Sequence, residues 1–138
     1  MHINFDVTKN VDTVKKSKAY YSDELTYQRR RLRMLHLDAF LDHMEGLHKP
    51  NFVARLFGAK GLHRMARRAI LNVEDGFGFG DFSPFESKYV DEETVRSIVE
   101  TENEISSVKD KIATCERALA HTTISVTPRE LEILTKKR

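Results

Sequence analysis

The chain has no tryptophan, one cysteine, three prolines and six glycines in 138 residues, and each scarcity removes a class of protein. A lone Cys115 cannot close an internal disulfide, so the expectation is a small buried apolar residue in a reducing compartment. No apolar run approaches the roughly 20 residues that a membrane span needs. The opening MHINFDVTKN lacks the apolar stretch of a signal peptide. A cytoplasmic protein without membrane association is expected.

What is present is charge and helix-forming sequence. Apolar residues make up 40% and charged residues 32%, enough for one domain over residues 1–138 with a real core. The net charge of +2 hides an asymmetry. Residues 1–73 hold 14 Lys/Arg against 7 Asp/Glu, a net of +7, and residues 74–138 hold 9 against 14, a net of −5. Such a division fits either two helices of opposite charge that pair or a basic surface that faces nucleic acid.

No proline or glycine interrupts the chain between Asp12 and Glu45, and Val14, Lys18, Tyr21, Leu25, Gln28, Leu32, Leu35, Ala39 and Asp42 recur at threes and fours. This predicts a long helical arm over 8–46, with a narrow seam that widens after Leu35 through Leu37, Phe40, Leu41, Met44 and Leu47. Gly46 and Pro50 are expected to stop it. A head over 47–90 follows, with short helices in NFVARLFGAKGLHRMARRAILNV and a glycine-phenylalanine loop. Residues 91–121 form the second arm, opened by Asp91 as N-cap and an acidic first turn. Residues 122–138 supply a short strand and a last helix, with Thr127 as N-cap, Pro128 at N1 and Glu130 completing a capping box. Ile3, Phe5 and Val7 alternate in HINFDV, as Ile124 and Val126 do in TTISVT, so the termini are expected to meet in a minimal two-stranded sheet. The predicted fold is mostly α: a long antiparallel, coiled-coil-like helical hairpin with a small helical head.

On the second arm Ile98, Ile105, Ile112 and Leu119 take heptad position a, and Thr101, Val108, Cys115 and Thr122 take d. Two partners fit this seam. A parallel homodimer through Ile98, Ile105, Val108, Ile112 and Leu119 would pair Glu104 with Lys109 and Lys111 with Glu116. A hairpin would instead fold the first arm onto it, with Lys15 and Arg29 beside the acidic shoulders. The linked helix has the higher effective concentration, which favours the hairpin, and hairpins can associate further.

The end of the chain, TPRELEIL over residues 127–134, resembles the opening of the LuxR-type helix-turn-helix domain, where a T-P-R-E-x-E-x-L stretch starts the first helix. That resemblance covers eight residues of 138. No recognition helix follows before Arg138, so no DNA-reading function is expected from it, and a capping box with apolar spacing accounts for the likeness.

Chemistry-bearing clusters are sparse. Glu45 and His48 have the Glu-x-x-His spacing of di-iron bundles, but the unit occurs once. His36 and His43 share a helix face roughly 10 Å apart, too far to hold one ion by themselves. Neither a metal nor another cofactor is expected. Gly76, Gly78 and Gly80 do not make a dinucleotide fingerprint, and Cys115 sits at a core position, so no enzyme is expected. Basic density falls at Arg30, Arg31 and Arg33, beside Arg29, and at Arg55, Lys60, Arg64, Arg67 and Arg68, candidate phosphate contacts for a nucleic acid.

The remaining feature is Phe77, Phe79, Phe82 and Phe85 in EDGFGFGDFSPFES. These are candidate anchors for a protein partner, rimmed by Glu74, Asp75, Asp81 and Glu86. Phe82 and Phe85, flanking Pro84, are expected to be structural, and the glycine-flanked Phe77 and Phe79 available. The functional expectation is a non-enzymatic protein-interaction module, an adaptor or an inhibitor of a partner protein, and a homodimer. Nucleic-acid binding is the alternative.

Overall fold

The computed structural model describes residues 1–48 and 82–136. In chain order they form strand β1 (Ile3–Asp6), a 3-10 turn (Thr8–Asn10), helix α1 (Val11–His48), helix α2 (Glu92–Leu119), strand β2 (Thr123–Val126) and helix α3 (Pro128–Leu134). The predicted head over 47–90 lies largely outside the described residues. The chain divides into two compact units: Met1–Gln28 with Asn103–Arg138, and Arg29–Glu102. Helices α1 and α2 each contribute to both.

In the first unit β1 and β2 pair antiparallel, Ile3 opposite Val126 and Phe5 opposite Ile124, so the alternation of both strands turns the same four side chains to one face. Val7 and Thr8 extend the junction by donating their backbone N–H groups to the Thr122 carbonyl at 2.9 and 3.3 Å. The core under this ribbon gathers Phe5, Val7, Val14, Tyr21, Val108, Cys115, Ala118, Val126 and Leu134. Covering one such aliphatic or aromatic side chain stabilises the fold by about 1.5–3 kcal/mol. Along α1 from Lys18 to Tyr21, the partner on α2 falls from Glu116, 3.6 Å away, to Lys111, whose ammonium lies 5.6 Å from the Tyr21 ring centre. The two helices therefore run antiparallel. The cross-helix ion pair is made by Lys18; Lys15 and Arg29, expected beside the acidic shoulders, are exposed. Both partners of the Lys18–Glu116 pair are substantially solvated, so the apolar seam carries the stability.

Helix α3 closes this unit by two devices. Thr127 accepts from the Glu130 N–H at 3.2 Å while the Glu130 carboxylate accepts from the Thr127 N–H at 3.1 Å, the expected capping box. Glu130 also pairs with Arg117. The backbone hydrogen bond to Thr127 leads the effects that hold the Glu130 carboxyl below the ordinary glutamate range. That contribution is complete above the unfolded pKa and is lost as pH falls through the folded one. At the other end, the fully buried Ser17 hydroxyl on α1 lies 2.9 Å from the Leu134 carbonyl and 3.2 Å from that of Lys136. It serves carbonyls that the last turn of a helix leaves open.

In the second unit Ala39, Val90 and Ile98 form a core with Leu32, Leu35, Phe82 and Val95 around it. Leu37 and Leu41 are buried as well, in keeping with the wider apolar band after Leu35. Asp91 accepts from the Glu93 N–H at 3.2 Å and caps α2. His36 is half-buried, and burial pushes its imidazole below the usual histidine range, partly opposed by Glu102. Acid therefore protonates the unfolded His36 before the folded one and weakens the fold. Helix α1 continues through Gly46 to His48, so Gly46 does not stop it as expected. One interior glycine costs only about 1 kcal/mol relative to alanine, which the surrounding turns tolerate.

One buried seam side chain leaves a polar atom unmet. Gln28 is 7% exposed, its amide N–H donates to Glu24 at 3.1 Å, and its carbonyl oxygen has no partner. A buried acceptor left unmet costs about 1–3 kcal/mol. Gln28→Leu should therefore raise the stability measured by urea denaturation, by about 1–2 kcal/mol. A destabilised variant would show that the amide is required where it stands.

Candidate functional site

The segment between residue 82 and the start of α2 is where side chains that neither seam uses come together. Pro84 occupies the second position of a turn closed by the Glu86 N–H to the Ser83 carbonyl at 3.2 Å, the position its fixed φ suits. Phe85 is thereby carried to the corner and is 53% exposed, while Pro84 is buried. The expectation that Phe85 is structural is corrected: proline fills the interior and the turn points the neighbouring ring outward. Phe82 does behave as expected, half-buried against the core and edge-on to Phe40, with ring centres 5.6 Å apart.

Ser87 ties the segment to α1. Its Oγ accepts the Tyr89 N–H at 3.2 Å and lies 2.7 Å from His43 Nδ1. The His43 ring also faces Phe82, at 4.9 Å between centres, and Tyr89 at 6.0 Å. Tyr89 lies over Gly46, where an added methyl group would land on the ring, and its ring carries the Lys88 ammonium at 5.2 Å. Nothing local in the sequence points to the His43–Ser87 or Gly46–Tyr89 contacts, because both join positions more than forty residues apart. The result is a braced base of Phe40, His43, Phe82 and Pro84 beneath the exposed Phe85 and Tyr89. Glu86, Lys88, Asp91, Glu92 and Glu93 stand exposed around them.

The other sequence candidates fall elsewhere. Ile98, Ile105 and Val108 are buried and Ile112 and Leu119 half-buried within one chain. Of the two partners open to the heptad seam, the hairpin is the one that fills it, and Cys115 in the same row is buried with its thiol pushed up by desolvation. Arg29, Arg30 and Arg31 are exposed and Arg33 is half-buried. Phe77, Phe79, Arg55, Lys60, Arg64, Arg67 and Arg68 lie outside the described residues.

A concavity of about 500 Å³ opens between α2 and α3, lined by Asp110, Lys111, Arg129, Glu130 and Ile133 among others. Its Glu130 is already engaged in the capping box and its Lys111 over Tyr21, so the lining serves the fold first. Among the described residues, no group of three or more His, Cys, Asp or Glu is placed to hold a metal ion, and no helix is long and apolar enough to cross a membrane.

Comparison of the chain with protein-family models, with curated proteins and with solved structures finds no match to any of them. The fold is a mostly α helical hairpin with a two-stranded ribbon.

The packing of Tyr89 on Gly46 yields a double-mutant test. Alanine normally favours a helix over glycine by about 1 kcal/mol, but here its methyl group meets Tyr89. Gly46→Ala should destabilise the wild-type chain and stabilise the Tyr89→Ala variant, as read by thermal melting. A gain in both backgrounds would mean that the ring does not pack there.

Proposed function

We propose that this chain is a non-enzymatic protein-interaction module, an adaptor or an inhibitor that engages another protein through the segment from Phe82 to Glu93. The observation that carries this reading is the exposure of Phe85 and Tyr89 on a base fixed by Pro84, Phe82 and the Ser87–His43 contact. Aromatic side chains held rigidly lose little entropy on binding, and apolar rings ringed by charge have the composition of an interface core with its rim. Phe77 and Phe79 belong to the same proposal as candidate anchors from the neighbouring sequence.

The second reading is nucleic-acid binding through Arg30, Arg31 and Arg33 with the basic residues of 55–68, and the exposure of Arg29, Arg30 and Arg31 supports it. Successive helical residues point about 100° apart, so these three fan around α1 rather than line up along a phosphate backbone. The aromatic segment is flanked by Glu86, Asp91, Glu92 and Glu93, which repel phosphate. Both points favour the protein partner.

A photoreactive p-benzoylphenylalanine placed at position 85 and, as a control, at the exposed Lys16 tests the reading in the living host. Position 85 should give a discrete covalent adduct that position 16 does not, while Phe85→Ala melts within about 0.5 kcal/mol of wild type, as an exposed substitution does. Equal or absent crosslinking from the two positions would contradict the proposal.

A further inference from the structure

Exposed apolar side chains and unpaired carboxylates coincide in one stretch of the second unit. Among the described residues, Phe85, Tyr89 and Val99 stand exposed close together in sequence, whereas the other exposed large hydrophobic residues, Met1 and Tyr27, stand singly. Residues 82–102 hold 6 Asp/Glu against 2 Lys/Arg, a net of −4, and all eight are exposed. The helix end accounts for part of this charge: Asp91 caps α2, and Glu92 and Glu93 offset the partial positive charge of its first turn. Glu86 lies before the helix and Glu100 beyond its first turn, where neither service is needed, and among the described residues no ion pair engages either. Val99 follows Glu92 by seven residues and Glu100 follows Glu93 by seven, so apolar and acidic positions run side by side along one outward face of α2, with Arg96 between them.

We infer that the partner of this surface is a cationic protein segment, one that combines arginine or lysine with apolar side chains. Its cations meet Glu86, Glu93 and Glu100, and its apolar groups cover Phe85, Tyr89 and Val99. The inference rests on the docking reading above and names the chemistry of the occupant. Carboxylates gathered with too little counter-charge hold a negative potential over the rings between them, which draws in a cationic partner and turns an acidic one away. A guanidinium group satisfies both elements of the surface at once, because it stacks on an aromatic face and pairs with a carboxylate. Tyr89 already shows the affinity of its ring for a cation, with the Lys88 ammonium 5.2 Å from its centre.

Two fluorescent peptides of equal length test this on the full chain, one built of Arg, Leu and Ser and the other with Glu in place of every Arg, titrated by anisotropy at about 50 and about 500 mM salt. The cationic peptide should bind at low salt, with a dissociation constant that rises at least about tenfold at high salt, and the acidic peptide should not bind. Glu86→Lys/Glu100→Lys should weaken the cationic peptide at least about tenfold with wild-type circular dichroism, and Glu86→Lys alone, outside the helix, should weaken it even if the Glu100 change disturbs α2. Asp110→Lys/Glu132→Lys, which reverses two exposed carboxylates of the first unit, should leave it unchanged apart from the shared effect of net charge. No binding of the cationic peptide at low salt, equal binding of the acidic one, or equal loss in the two double variants overturns the proposal. In the host, the covalent adduct from position 85 should disappear in the Glu86→Lys/Glu100→Lys background. An adduct that persists there, or one formed with a second copy of this chain, overturns the cationic partner while the docking reading stands; no adduct in either background overturns both.

Discussion

A side chain buried between two helices stabilises them only if both are held in register, and in this chain nearly every other feature follows from the antiparallel register of α1 and α2. Val14 and Tyr21 on one helix, with Val108, Cys115 and Ala118 on the other, form the floor on which β1, β2 and α3 lie. Remove that floor and the two four-residue strands have nothing to cover, since an isolated two-stranded ribbon is marginal in water. The capping box and Ser17 then fix α3 at its two ends. In the second unit Ala39 and Ile98 share a core of their own with Val90. There the segment after Phe82 is pinned by contacts to α1 through Phe40, His43 and Gly46.

The parts legible in the sequence were those encoded by short-range periodicity. Spacings of three and four residues place Val14, Tyr21, Gln28 and Ala39 on one face of α1, and all four are buried. The heptad of α2, the alternation of Ile3 with Phe5 and of Ile124 with Val126, and the Thr127–Glu130 cap are likewise local patterns with one physical solution each. Periodicity alone left open whether the α2 seam faces its own chain or another. The burial of Ile98 and Val108 within one chain comes from tertiary packing, which no local pattern contains.

The site was less legible for the same reason. A glycine-phenylalanine stretch announces aromatic side chains on irregular backbone without saying which of them turn inward. At Pro84 and Phe85 the outcome depends on a turn that buries the ring of the proline and exposes that of the phenylalanine. Gly46 reads locally as a helix stop, yet its role comes from Tyr89 in a distant segment. Ser17 looks like an ordinary polar residue on an exposed arm until α3 brings its carbonyls there. These contacts decide which residues remain exposed.

Cysteines placed at Lys18 and Glu116, whose charged groups approach to 3.6 Å, test the in-chain register directly once Cys115 is changed to alanine. Treated at low protein concentration with a short bis-maleimide, which bridges backbones farther apart than the roughly 7 Å limit of a disulfide, the Lys18→Cys/Glu116→Cys chain should crosslink internally and migrate as a single 16.0 kDa chain on denaturing electrophoresis. Covalent dimers as the main product, with no internally closed chain, would place the seam between copies and contradict the hairpin.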